Sequence, residues 1–146
     1  MITTQPNKAG LIPFCKINGK IVMCFMVSSN ARYGGALPQI AKGNVDPGEC
    51  VQEAALREAQ EELGLRVSNI IPGTMHECWD SIFSTRKNKY RLAVYTAEVK
   101  DIDSFDLPCY ETEYTVWMTL EEFMKDGRVD QQSIVQKAYN EMRQFA

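Results

Sequence analysis

Residues 43–65 of this 146-residue chain read GNVDPGECVQEAALREAQEELGL. A glycine- and proline-containing turn, Gly43 to Gly48, leads into a helical stretch from about Cys50 to Leu63, and Gly64 stands where a helix stop is expected. Ala54, Ala55, Ala59 and Leu63 give that helix one compact apolar side. An α-helix turns about 100° per residue, so Glu58, Glu61 and Glu62 point within an arc of roughly 100°. Carboxylates crowded in this way repel one another, and like charges four residues apart destabilise a helix. Hard divalent cations such as Mg²⁺ or Mn²⁺ prefer clustered carboxylate oxygens and remove that repulsion. The helix therefore reads as half of a metal site or as a solvated acidic face, and spacing alone leaves the two balanced. Arg57, four residues before Glu61 and four after Glu53, could pair with either and fix the carboxylate rotamers. Two starts for the helix stay open: Cys50 with Glu53 at capping-box spacing, or Asp46 as N-cap followed by Pro47 and Glu49.

Outward from this stretch, strands and helices interleave. Ala9 to Ile17 reads as a strand, Asn18-Gly19 as a two-residue hairpin turn, and Lys20 to Ser28 as a returning strand apolar enough to be buried on both faces. A loop of small residues, 29–36, precedes a short apolar stretch from Leu37 to Ala41. After the helix, Arg66 to Thr85 should hold two strand segments, with a turn at Lys87 to Lys89 leading into a strand from Tyr90 to Val99. Asp101 to Tyr110 reads as a loop and Thr112 to Met118 as a short strand. Two helices, about Leu120 to Asp126 and Asp130 to Phe145, close the chain. The expected class is α/β, a mixed β-sheet with helices packed against it.

The length suits one domain over residues 1–146. Sixteen basic and nineteen acidic residues give a net charge of -3, which argues against a duplex nucleic-acid binder and against extended nucleic-acid contact. No apolar run approaches the roughly 20 residues that span a bilayer, and the N-terminus lacks the pattern of a secretory signal. The five scattered cysteines form no CxxC pair, and His76 is the one histidine, so a Cys/His zinc site of the usual spacing is absent. A reduced, cytoplasmic setting with the cysteines as small apolar residues follows.

The helix and its approach resemble the Nudix box: glycine, five residues, Glu, seven residues, Arg-Glu, an apolar residue, any residue, Glu-Glu, any residue, Gly, apolar. The fixed positions are Gly43, Glu49, Arg57, Glu58, Glu61, Glu62 and Gly64, with Ala59 and Leu65 at the apolar ones. Seven fixed residues at ordinary usage match by chance on the order of once in a hundred million windows. The resemblance implies an α/β/α sandwich and Mg²⁺- or Mn²⁺-dependent hydrolysis of a nucleoside diphosphate linked to another group. It implies Glu58 and Glu62 as principal metal ligands with Glu61 close by, the carbonyl of Gly43 as a further ligand, Glu49 near the site and Arg57 orienting the carboxylates. An acid from outside the box often joins as ligand or base. Glu111, six positions before Trp117, is the first choice, then Glu113 and Glu98.

Substrate contacts are expected from Lys42, Glu49, Tyr33, Arg86 and Lys89. AKGNVDPGE resembles the PKGHVDPGE form of dinucleoside polyphosphate hydrolases and related Nudix enzymes, departing from it at Ala41 and Asn44. Lys42 would meet a phosphate as a point charge, and Arg86, Lys87, Lys89 and Arg91 form a basic cluster. Tyr33, Trp79, Phe83, Tyr90 and Tyr110 are candidates for stacking on a base, whereas Trp117 reads as core and His76 as structural. The favoured substrates are ADP-containing dinucleotides, ADP-ribose or diadenosine polyphosphates, bound by a monomer or homodimer. A (d)NTP or an RNA 5′ end is the alternative substrate. A non-catalytic nucleotide sensor of the same fold is the alternative class, and it would not need all three glutamates charged on one helix face.

Overall fold

The computed structural model describes residues 5–29, 37–84 and 89–145. β1 (Lys8–Ile17) and β2 (Lys20–Ser28) form an antiparallel hairpin across Asn18-Gly19. Both turn residues have positive φ, 52° and 78°, the type I′ geometry whose twist matches that of the strands. Alternation along β1 sends Ile12 and Phe14 to one face and Ala9, Leu11 and Cys15 to the other, all buried. A strand apolar on both faces demands cover on both sides.

That cover comes from three helices. Against Ile12, Phe14, Met23, Phe25, Leu92 and Val94 lie α2 (Leu120–Asp126) and α3 (Gln132–Phe145), through Phe123, Ile134, Val135 and Met142. Against Ala9, Leu11, Cys24 and Met26 lies α1 (Val51–Leu63), through Ala54, Ala55, Ala59 and Leu63. The result is the α/β/α sandwich that the resemblance implies.

The sheet is mixed. β4 (His76–Ser84) pairs antiparallel with β5 (Lys89–Glu98), and β5 runs parallel to β1 from Lys8↔Leu92 to Phe14↔Glu98. On the opposite edge, β1 has two successive partners. Its C-terminal half, Phe14–Ile17, pairs with β2, while Lys8–Leu11 pairs with β3 (Ala41–Asn44). β2 continues on to β6 (Thr112–Met118). The sheet therefore splits where β2 parts from β1, bridged there by the single Met26↔Gln39 pair.

Several elements differ from the sequence reading. Gly43, expected in a turn, lies inside β3, which begins at Ala41 where the apolar stretch was expected to end. Its strand geometry comes from pairing with Ala9, a contact invisible to local pattern. Among the described residues of this stretch, 66–84, there is one strand rather than two. Val67–Asn69 is a 3₁₀ turn, and Ile70 makes an isolated bridge to Val99 before Pro72, which has no N–H to donate, and Gly73 (φ 80°) turn the chain away. The last helix starts at Gln132, after a 3₁₀ turn at Val129–Gln131. α1 starts after Cys50, which supplies no side-chain cap, and Asp46 to Glu49 form a separate turn before it. α2 carries a full Thr119/Glu122 capping box that the sequence reading did not single out.

Candidate active site

The small side chains of Ala54, Ala55 and Ala59 bring α1 close to the sheet, and its next face meets β3. Glu62 Oε1 accepts a hydrogen bond from the Lys42 N–H at 3.0 Å. The Glu58 carboxyl lies against Gly43, where any Cβ would run into the carboxyl carbon and both oxygens. Glycine at position 43, which lies in β3 rather than in a turn, thus leaves room for the Glu58 carboxyl against the strand. Glu58 and Glu62 are each only 8% exposed.

Two buried carboxyls side by side cannot both ionise cheaply. Burial, then the charge of Glu58, pushes the Glu62 carboxyl up to about 8. Burial likewise raises Glu58, although the Arg57 guanidinium pulls in the opposite direction.

Arg57 organises the outer side of the pair. Its Nε and Nη2 donate to the two oxygens of Glu49 at 2.8 and 3.0 Å, Nη1 to Glu58 Oε1 at 2.9 Å, and Nη2 also to the Asn44 carbonyl at 2.8 Å. The bond from Arg57 holds the Glu49 carboxyl down to about 2. Arg57 thus pairs with Glu49 and Glu58, and more distantly with Glu61 at 3.5 Å, but not with Glu53. The Glu61 side chain is half exposed.

A cavity of about 440 Å³ opens beside Glu62, at the split in the sheet. Lys8, Met26, Gln39, Lys42, Tyr110 and Glu111 contribute to its walls. Glu111 is placed there by the end of α1. The Cys109 N–H donates to the Glu61 carbonyl at 2.7 Å, and the Thr112 hydroxyl donates to the Glu62 carbonyl at 2.7 Å. Ser29 closes the other side, its N–H and hydroxyl donating to the Glu111 carbonyl at 2.9 and 3.1 Å. Gly64 permits this clamp, since it ends α1 at φ 76° and a Cβ there would meet the Asp106 backbone.

Two lysines make part of the cavity lining basic. The Lys8 and Lys42 ammonium groups lie 4.6 and 5.6 Å from the centroid of the Tyr90 ring. Burial, then the charges of Lys8 and Arg128, lowers Lys42 to about 8. Arg128 is held by Asp130 and donates to Gln39 Oε1 at 3.0 Å.

The structure thus brings Lys42, Gly43, Glu58, Glu62 and Glu111 together, with Glu49 and Arg57 behind them. Glu98 lies elsewhere, in a third cavity with His76, and Glu113 is exposed. Lys89 is exposed at the start of β5 and does not line the site cavity. Tyr33 and Arg86 lie outside the described residues. Trp117, read as core, is partly buried and packs edge-on to Phe105 against the α1 core. Trp79 and Phe83 belong with the opposite core. Lys8 and Gln39 were missed from sequence, because only the pairing of β1 with β3 and the Met26↔Gln39 bridge place them here.

Among the described residues no three His, Cys, Asp or Glu side chains converge into a cage. The donor set nonetheless fits a hard divalent cation. Mg²⁺ is commonly bound by one or two carboxylates, with water and substrate phosphates completing its shell. Glu58 and Glu62 supply two carboxylates in contact, whose mutual repulsion a cation relieves.

A split mixed sheet between helices thus carries, at its seam, one cavity lined by both Glu62 and the lysines Lys8 and Lys42. The family model for the NUDIX domain matches residues 5–138, and the chain belongs to the Nudix family. It is 32% identical over 119 residues to an asymmetrical bis(5′-nucleosyl)-tetraphosphatase of Caenorhabditis elegans, covering 80% of this chain and 81% of that one. It is 32% identical over 91 residues to an RNA pyrophosphohydrolase of Rhodopseudomonas palustris, about half (54%) of each chain. Among solved structures, a C. elegans Ap4A hydrolase binary complex superposes with a TM-score of 0.76 at 23% identity, covering 96% of this chain and 99% of that one. No described helix is long and apolar enough to cross a membrane.

Proposed function

We propose that this chain, as one domain, hydrolyses the phosphoanhydride linkage of a nucleoside diphosphate joined to another group, with diadenosine polyphosphates favoured. One observation carries the reading: Glu62, buried in contact with Glu58, lines a cavity that Lys8 and Lys42 also line, while Glu58 lies against Gly43. Glu58, Glu62 and the Gly43 carbonyl would hold Mg²⁺ or Mn²⁺, with Glu61 at the edge. Once bound, the cation neutralises phosphate charge and activates the attacking water. Arg57, fixed by Glu49 through both oxygens, sets the Glu58 rotamer. Glu49 therefore acts here by holding Arg57. Glu111, across the cavity from the helix, takes the proton from water or adds a carboxylate to the cation. Lys42 meets the phosphates, with Lys89, Arg86 and Tyr33 as outer contacts. A cytoplasmic setting is supported by five unpaired cysteines.

The dinucleotide preference is supported by the AKGNVDPGE stretch and by the tetraphosphatase relative. The RNA pyrophosphohydrolase relative supports a second reading, in which an RNA 5′ end is the substrate.

A substrate panel with Mg²⁺ and Mn²⁺ tests this, with products followed by chromatography: diadenosine tri- and tetraphosphate, ADP-ribose, NADH, FAD, (d)NTPs and 5′-triphosphate RNA. We expect cleavage of diadenosine tetraphosphate, with kcat reduced at least about 100-fold in Glu62→Gln, a loss on the scale of about 2.7 kcal/mol of barrier. Turnover of the RNA alone favours the second reading. Tight nucleotide binding without turnover of any substrate overturns both in favour of a sensor.

A further inference from the structure

A second cavity, also of about 440 Å³, lies at the other end of β1, where the β1–β2 hairpin meets α2 and α3. Lys8 and Lys16, which line one cavity each, are eight residues apart on one strand, roughly 26 Å along it. Their chemistry differs. The first is lined by two acids, Glu62 and Glu111, with Glu62 in contact with Glu58, whereas the second is lined by Lys16, Lys20 and Arg143 against a single acid, Glu121. None of those three cations makes an ion pair among the described residues, in a chain whose net charge is -3. Glu122, whose charge reaches Lys20, has its carboxylate bound to the Thr119 N–H at 2.9 Å.

The floor of this cavity is apolar and aromatic. Ile21 is buried, Leu120 and Tyr139 are half-buried against the main core, and the Arg143 guanidinium lies 5.9 Å from the centroid of the Tyr139 ring. A guanidinium held over a ring, without a carboxylate partner, remains available to an anion. Unpaired cations around an aromatic floor match a ligand with phosphates at one end and a flat ring at the other, and the volume falls within the range of small-molecule sites.

We propose that this second cavity binds a nucleoside phosphate without a divalent cation, the phosphates on Lys16, Lys20 and Arg143 and the base against Tyr139. The site is independent of turnover in the first cavity, so it stands or falls separately from the hydrolase reading.

Calorimetric titration of the full chain with ATP in excess EDTA tests it. The variants are Lys16→Ser/Lys20→Ser/Arg143→Ser, Lys8→Ser/Lys42→Ser, and Tyr139→Leu. The expected result is at least tenfold weaker ATP binding in the triple variant and near-unchanged binding in Lys8→Ser/Lys42→Ser. Equal loss in both, loss in the second alone, or absence of ATP binding to the wild type in EDTA overturns the proposal. Inorganic triphosphate should bind at least fivefold more weakly than ATP, a gap that Tyr139→Leu closes. Equal affinity for the two ligands in the wild type overturns the assignment of the base to Tyr139. The three cations are exposed, so the triple variant should melt within about 2 °C of the wild type, and its binding alone decides the matter if Tyr139→Leu does not fold.

Discussion

Glu62 concentrates the conflict on which this site is built. It is buried, touches Glu58, and has one backbone donor, the Lys42 N–H, to compensate it. Natural domains seldom bury two acids together unless an ion or a proton resolves their repulsion. In the metal-free chain the proton does so. The native carboxyl keeps it up to about pH 8, while the unfolded one releases it near 4.5. Between those values the native state binds more protons, so this contribution to stability is complete below about pH 4.5 and fades as pH rises towards 8. Denaturant midpoints in EDTA should therefore fall between about pH 5 and pH 8, and Glu62→Gln should flatten the decline. A wild-type midpoint that rises over this range would contradict the assignment. Arg57 plays the complementary part: by engaging both oxygens of Glu49 and one of Glu58, it leaves Glu62 as the acid turned to the cavity.

At the level of elements, α1 acts as a lever whose height is set by its alanines. Ala54, Ala55 and Ala59 are completely buried, and together they let the helix sit low enough for Glu58 to touch Gly43. Ala59→Leu should cost about 1–3 kcal/mol through overpacking, and should also lower kcat by lifting the glutamates from β3. Thr119→Ala is the control. Losing the α2 capping box should cost about 1 kcal/mol, a melting shift of roughly 3 °C, and leave turnover unchanged. Thermal melts set beside kcat for the two variants check this. A kcat loss no larger in Ala59→Leu than in Thr119→Ala would show that helix height does not govern the site.

Across the whole molecule, the split sheet is what opens the site cavity. β1 serves both halves: β2 leaves it after Phe14↔Met23, β3 takes its place at Lys8–Leu11, and the cavity lies at the gap between them. The cation, on the functional reading above, joins α1 to β3 across this seam. Binding to the native state alone stabilises a protein in proportion to the logarithm of free ligand. Millimolar Mg²⁺ should therefore raise the melting temperature of the wild type by several degrees at about pH 8, with little effect on Glu62→Gln. Equal shifts in the two proteins would place the ion elsewhere.

Local physics was enough for α1 and its stop at Gly64 in residues 43–65, for the strands of the hairpin on either side of Asn18-Gly19, and, through the order of elements along the chain, for the class of the fold. Periodicity and turn chemistry act over a few residues, and a seven-position motif is rare enough to carry meaning. The same local view misassigned Gly43 to a turn and expected an extra strand before β4, because β3 exists through its pairing with β1, and the 66–75 segment fails to pair beyond Ile70. Clustering of acids on one helix face was legible. Which of them are buried together was not, since only the approach of β3 separates Glu58 and Glu62 from the half-exposed Glu61. Lys8, Lys42 and Glu111, far apart in the chain, meet Glu62 at one cavity by virtue of strand order and the clamp at the end of α1. Long-range pairing and burial belong to the folded chain as a whole, and they decide which charges face one another.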